Sequence, residues 1–140
     1  MLLTKNLQQF KPILFIILLV PSFIWMFQFF NGNLGVNPIE NLMDKMGLMA
    51  LRVIVLTLII SSLADIKYFK SIVVLRRMIG LFAFYYVCLH FLTYIVLDHF
   101  FDIKFIFKDI AKRPFITFGF ISFLCLIPLA ITSNKFSLRK

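Results

Sequence analysis

His90 lies near the middle of an apolar run, residues 78–101, that is long enough to cross a bilayer. An ionisable side chain at membrane depth is costly and commonly marks a functional site. A neutral imidazole can ligate a metal ion or a haem iron, relay a proton, or donate a hydrogen bond to a neighbouring helix. The residue type and its depth allow all three roles, so the neighbouring residues must decide among them.

The helical face of His90 combines small residues with aromatic ones. Positions three, four and seven apart share a face of a helix, which places Ala83, Tyr86 and Tyr94 beside His90, with Gly80 one turn further. The small residues leave space, and the two tyrosines could form the walls of a slot for a flat ligand. A porphyrin needs such a slot and an axial nitrogen. The pattern is compatible with a haem site, while a packing histidine and a proton relay remain alternatives.

His99 lies at the end of the same run, beside Asp98 and Asp102, and is predicted to be solvated at the membrane interface. Nine residues of helix would separate it from His90 by ~13 Å. Two axial nitrogens on one iron are only ~4 Å apart, since each metal–imidazole bond is ~2 Å. On a continuous helix the two histidines therefore cannot share one iron.

Three arginines are candidates for contact with an anionic group. Arg52 is the one Lys or Arg within an apolar run, where it could extend outward to the interface or pair with an anion such as a haem propionate. Arg76 and Arg77 begin the third run, where they could contact lipid headgroups or the anionic edge of a cofactor.

No catalytic site can be assembled from the sequence. It offers no Ser/His/Asp or Cys/His set and no phosphate-binding glycine loop, and Glu40 and Asp44 fall at a turn and a helix start. Cys88 and Cys125 lie in separate apolar runs without metal-site spacing and are predicted to be packing residues. We therefore predict no catalytic residue in this chain.

The composition identifies the class of protein. The 140 residues are 61% hydrophobic, include 19 phenylalanines and have a mean hydropathy of +0.97. Soluble domains are ~45–50% apolar, so the chain is predicted to be an integral membrane protein. The net charge of +9 then indicates anionic headgroups as the partner rather than nucleic acid.

Four apolar runs, residues 13–30, 46–64, 78–101 and 115–131, are predicted to be transmembrane helices within a single domain over residues 1–140. Helices are expected because an open strand would leave backbone groups unpaired in lipid. Pro21 and Pro128 are expected to kink the first and last helices. Residues 102–114 mix charged and apolar residues and could form a short amphipathic helix on the membrane surface.

The distribution of basic residues predicts the orientation. With the N-terminus in the cytoplasm, nine of the 15 Lys and Arg residues fall on the cytoplasmic side, five fall outside, and Arg52 lies within a span. Cytoplasmic segments carry the excess of such residues. Both termini are therefore predicted to be cytoplasmic.

An ordered set of short motifs follows the chain from residue 37 to residue 133. They are Asn37-Pro38-Ile39-Glu40, Gly47, Ala50-Leu51, Thr57-Leu58, Arg76-Arg77-Met78-Ile79-Gly80-Leu81, Leu89-His90, Tyr94, Lys112-Arg113-Pro114-Phe115-Ile116, Gly119 and Pro128-Leu129-Ala130-Ile131-Thr132-Ser133. This ordered set, on a chain with four matching spans, resembles the MsrQ/YedZ family of haem-binding membrane subunits, and the resemblance covers nearly the whole chain.

The resemblance implies a ferric-reductase-like bundle of six transmembrane helices that binds haem b, with His90 at the position of the axial ligand. It also implies electron transfer from a cytosolic flavin reductase, with FMN as a cofactor, to a periplasmic molybdopterin methionine sulfoxide reductase. The chain itself would be a non-catalytic subunit. The family continues past the motif ending at Ser133 into helices that supply further haem-ligating histidines, so this chain is expected to be incomplete at its C-terminus.

Two other functions are compatible with the sequence. A cofactor-free assembly subunit would use His90 only for packing. A small oligomeric transporter would normally carry an acid at mid-membrane, whereas all six acids fall outside the interiors of the predicted spans.

Overall fold

The computed structural model describes residues 2–64 and 72–133, and this part of the chain contains helices and no strands. The helices are α1 (Leu2–Phe30), α2 (Pro38–Ala64), α3 (Val73–Thr93), a π-helical segment (Tyr94–Asp98), α4 (Ile103–Lys112) and α5 (Pro114–Thr132). Several basic residues used to predict the orientation lie outside the described residues: Lys67, Lys70, Lys135, Arg139 and Lys140.

Four of the helices are long and apolar enough to cross a membrane, over Gln9–Phe30, Pro38–Leu63, Leu75–Asp98 and Pro114–Thr132. The predicted class, an all-helical integral membrane protein with four spans, is confirmed. Many large apolar side chains of α1 and α5 are exposed, including Phe27 and Phe118 at 70% each, as expected for helices that face lipid.

The helices extend beyond or stop short of several predicted span boundaries, as the second and third helices illustrate. The second helix begins at Pro38 rather than at residue 46, because proline suits the first turn of a helix, where its missing N–H is not needed. The third run does not continue as one helix to residue 101. It changes to π-helical geometry at Tyr94 and ends in a turn in which Phe100 and Phe101 have positive φ angles.

The core lies between α2 and α3, with α1 packed against both. Its α2 residues, Leu42, Met46, Ala50 and Val53, recur every three or four positions, which aligns them on one helical face. Tyr86 of α3 is fully buried, and its hydroxyl donates to the carbonyl of Leu18 in α1. This hydrogen bond joins α3 to α1 three residues before Pro21.

The short amphipathic helix predicted within residues 102–114 is α4. Asp102 caps it, since its carboxylate accepts a hydrogen bond from the backbone N–H of Phe105. Ile106 and Asp109 turn toward the bundle, whereas Ile103 and Phe107 are exposed. The Thr117 hydroxyl of α5 donates to the carbonyl of Ile110, which holds α5 against α4.

Candidate functional site

A cavity of about 620 Å³ lies among α2, α3, α4 and α5, and His90 lines it. Cavities that hold small molecules and cofactors are usually ~300–1,000 Å³. The lining is largely aromatic on one side and carries charged residues at one end. The residues that line it include Met43, His90, Phe91, Tyr94, Asp98, His99, Phe105, Asp109, Arg113, Phe120 and Phe123.

The ring of His90 is held in a defined orientation by α2. Its Nδ1 lies 2.9 Å from the backbone carbonyl oxygen of Met43. A carbonyl oxygen only accepts hydrogen bonds, so the contact assigns a proton to Nδ1. In the neutral ring Nε2 then carries a free lone pair, and it has no hydrogen-bond partner within residues 2–64 and 72–133. A histidine oriented in this way is prepared to ligate a metal through Nε2.

Gly47 makes this orientation possible. A Cβ atom at position 47 would lie 2.9 Å from Nδ1 of His90, closer than Cβ atoms approach in proteins, and 3.0 Å from Cε1. The glycine therefore leaves the space in which the imidazole reaches the Met43 carbonyl across the α2–α3 interface. The sequence contained this signal as a glycine within a helix, where it costs up to ~1 kcal/mol relative to alanine.

The wall of the cavity differs from the sequence-based expectation. Tyr86 and Ala83 belong to the buried core, and Gly80 faces Thr57 of α2 at another cavity. Instead, Phe91 packs against two phenylalanines of α5, with ring centroids 5.8 Å from Phe120 and 4.7 Å from Phe123. The prediction that both tyrosines form the wall was wrong. A spacing of three and four residues identifies a face of the helix, but it does not show which neighbouring helix covers that face. Only Tyr94 of the two tyrosines lines the cavity.

The other end of the cavity contains a cluster of Tyr94, Asp98, His99, Asp109 and Arg113. The Tyr94 hydroxyl donates to Oδ2 of Asp109 at 3.0 Å, and Nε of Arg113 contacts Oδ1 of the same carboxylate at 3.0 Å. Nε2 of His99 lies 3.5 Å from Asp98 Oδ2 and 3.8 Å from Asp109 Oδ2. The prediction that His99 is solvated was therefore wrong, since only 12% of its side chain is exposed.

The π-helical segment explains why His99 points into the protein. The backbone N–H of His99 bonds to the carbonyl of Tyr94, five residues earlier, and the two rings meet edge to face at 4.4 Å. In an α-helix, residues five apart point in different directions, because each residue turns the chain by about 100°. The wider π turn places Tyr94 and His99 on one side, so both face the cavity.

The three arginines lie away from His90. Arg52 is exposed on α2 and lines neither of the two cavities described here. Arg76 and Arg77 are exposed and line the second cavity, of about 670 Å³, at the beginning of α3. Thirteen or more residues of helix separate them from His90, or ~20 Å. The cation at the His90 cavity is Arg113, which the sequence-based reasoning did not select.

Within residues 2–64 and 72–133, no three His, Cys, Asp or Glu side chains form a group that could hold a metal ion. A haem requires less of the protein, because the porphyrin supplies four ligands and the protein supplies axial ones. His90, the aromatic wall and the volume of the cavity are the residues and space that fit such a group.

The chain is an integral membrane protein of the ferric reductase type. Residues 46–140 match the family described as ferric reductase like transmembrane component, and the chain belongs to that family. No solved structure matches it.

Relatives named protein-methionine-sulfoxide reductase heme-binding subunit MsrQ confirm the resemblance seen in the motifs. The protein from Azospira oryzae is 43% identical over 135 residues, which cover 96% of this chain and 58% of that protein. Those from Herminiimonas arsenicoxydans and Brucella anthropi are 46% and 45% identical, over 89% and 86% of this chain and 57% and 54% of their own lengths. The chain thus spans little more than half the length of these relatives.

Proposed function

We propose that this chain is the haem-binding part of a membrane electron-transfer subunit that supplies a periplasmic methionine sulfoxide reductase. The observation that carries the proposal is the Nδ1 contact of His90 with the Met43 carbonyl, which directs a free Nε2 lone pair beside a cavity of cofactor size. The names of the similar proteins support both the haem and the reductase system.

His90 would hold the group through Nε2, and α2 would keep its ring from rotating. Phe91, Phe120 and Phe123 would form an apolar wall on one side of the group. When bound, haem supplies reversible one-electron chemistry at iron. A dry, apolar setting influences the reduction potential, since it alters the stability of the charged state.

The electron donor in this proposal is a cytosolic flavin reductase with FMN, and the acceptor is a periplasmic molybdopterin enzyme. The chain would lie in a bacterial inner membrane with both termini in the cytoplasm, as the distribution of Lys and Arg predicts. Arg52, Arg76 and Arg77 are then better suited to headgroups than to a haem at His90, because they lie outside its cavity.

Haem binding is tested by absorption spectroscopy of the purified chain, alone and co-expressed with the C-terminal helices that the resemblance implies. We expect a Soret band with haem supplied, and its loss in His90→Ala. Arg52→Gln is a suitable control, because Arg52 is exposed and outside the cavity. A colourless protein under both conditions, or a Soret band unchanged in His90→Ala, would contradict the proposal.

One observation favours a second candidate, a cofactor-free assembly subunit. The contact between His90 and Met43 is itself a hydrogen bond between helices and could serve packing alone. In that case His90→Phe would lose the bond yet preserve complex formation and the activity of the reductase partner. Electron transfer predicts that His90→Phe abolishes partner activity while the complex still assembles.

A further inference from the structure

The imidazole of His99 carries a buried nitrogen without a hydrogen-bond partner. Among the side chains of the described residues that are not exposed, its Nε2 is the one buried polar atom left unsatisfied. A buried polar atom without a partner typically costs ~1–3 kcal/mol, so its retention needs a reason. The ring is fixed by contacts with Tyr94 at 4.4 Å and with Phe105 at 5.1 Å.

Two carboxylates lie close to Nε2 of His99. Asp98 lies beside it in the chain, and Asp109 faces it from α4, with carboxylate oxygens 3.5 and 3.8 Å away. Both distances are too long for a good hydrogen bond, yet short enough for strong attraction to a positive ring. Arg113 at the end of α4 opposes this attraction, but it is bound to the far oxygen of Asp109 and its side chain is 59% exposed.

The remaining groups near the cluster add little positive charge. The Tyr94 hydroxyl donates to Asp109, and α2 contributes Asp44 to the lining of the cavity. The cavity-lining residues of α5 are uncharged: Phe115, Ile116, Gly119, Phe120 and Phe123. The side chain of Asp98 is 44% exposed, so it offers a route for protons between water and Nε2.

His99 and His90 line the same cavity. If His90 holds a redox group, each electron that arrives adds negative charge to a cavity that is walled by phenylalanines on one side. Charges interact strongly in such surroundings, so a proton taken up nearby offsets the added electron. No other histidine lies in the described part of the chain, and histidine is the side chain that ordinarily exchanges protons between pH 5 and 8.

We propose that His99 is the proton-exchanging group of the His90 cavity and couples proton uptake to reduction of the group that His90 holds. This inference rests on the proposed electron-transfer function. One electron from the proposed donor enters the cavity, and one proton from the aqueous phase forms an N–H bond at Nε2 of His99. When the electron passes to the acceptor, that N–H bond breaks and the proton returns to water.

The test is a redox titration of the haem-loaded protein, followed by its absorption spectrum, at several pH values between 5 and 8. One proton per electron lowers the midpoint potential by up to ~59 mV for each tenfold fall in proton concentration. We expect a slope approaching this value in the wild type. His99→Gln should keep the Soret band and lose more than half of the slope.

Asp98→Asn provides a second variant at an exposed position. It removes a carboxylate that stabilises the protonated ring, so the whole curve of potential against pH should move toward lower pH. Lys108→Gln is the matched control, because it changes the charge of the same region by one unit at an exposed residue that does not line the cavity. It should shift the potential at every pH and leave the slope unchanged.

The outcomes separate this inference from the proposed function. A Soret band with a wild-type slope in His99→Gln, or a curve in Asp98→Asn that does not move along the pH axis, overturns the role of His99 and leaves haem binding intact. A wild-type Soret band with no dependence on pH also overturns it. The absence of a Soret band in the wild type overturns both.

Discussion

The orientation of the His90 imidazole depends on Gly47, a residue that has no side chain. Gly47 allows the ring to reach the Met43 carbonyl, and this contact determines which nitrogen faces the cavity. A helical glycine is normally unfavourable relative to alanine, so substitution by alanine should stabilise the isolated helix by up to ~1 kcal/mol. At position 47 the added Cβ would instead meet the ring.

We therefore expect Gly47→Ala to weaken haem binding at least tenfold, because the ring must rotate away and lose its contact with Met43. The measurement is a haem titration followed at the Soret band. Gly80→Ala is the control, since a Cβ there makes an ordinary contact of 3.6 Å with Thr57 Cγ2 and lies outside the His90 cavity. Equal affinities in the two variants would show that the close approach is not needed.

At this scale the sequence identified His90 but not its surroundings. His90 could be found because an ionisable residue within an apolar run is rare. Phe120 and Phe123 could not be chosen from among 19 phenylalanines, since their role depends on how α5 lies against α3. Arg113 was missed because it precedes a span rather than lying within one.

At the scale of elements, the π-helical segment and α4 together form the charged end of the cavity. The π turn directs Tyr94 and His99 inward, and α4 brings Asp109 to meet them. The side chain of Asp109 is 10% exposed, and its carboxylate accepts a hydrogen bond from Tyr94 and forms an ion pair with Arg113. This carboxylate therefore joins α3, through its π extension, to α4 and the start of α5.

Asp109→Asn should lower the free energy of unfolding by about 1–3 kcal/mol. The uncharged amide attracts Arg113 less strongly, and its NH2 group cannot accept a hydrogen bond as the replaced carboxylate oxygen does. Thermal unfolding in detergent or nanodiscs measures this effect. Asp102→Asn makes the same chemical change at the N-cap of α4, where asparagine caps a helix as well as aspartate does. A loss of stability in Asp102→Asn equal to that in Asp109→Asn would contradict the explanation.

At the scale of the whole molecule, two connections lie at the same end of the bundle. His90, near the end of α3, contacts Met43, near the beginning of α2. The turn before α2 and the segment that includes α4 are therefore on one side of the membrane. The distribution of basic residues predicts that this side is the periplasm, which would direct the His90 cavity toward the proposed acceptor.

Labelling of single cysteines tests this orientation. In a background without Cys88 and Cys125, Val36→Cys and Lys108→Cys should both react in intact spheroplasts with a thiol reagent that does not cross membranes. Both positions are exposed, and the Val36 side chain is 97% exposed. If both cysteines react only after the membrane is opened, the orientation is the opposite of the predicted one. If only one of them reacts in intact spheroplasts, the two positions lie on different sides and the topology is wrong.

The sequence alone determined the class of protein, the number of spans and the short amphipathic helix, and it singled out His90 as a candidate ligand. These depend on hydropathy, length and residue type within short windows, which are local properties. The tertiary structure decided which residues meet: Gly47 with His90, Phe91 with α5, and His99 with Asp109. Such contacts depend on a change from α- to π-helical geometry and on the packing of separate helices, and no local pattern in the chain specifies either one.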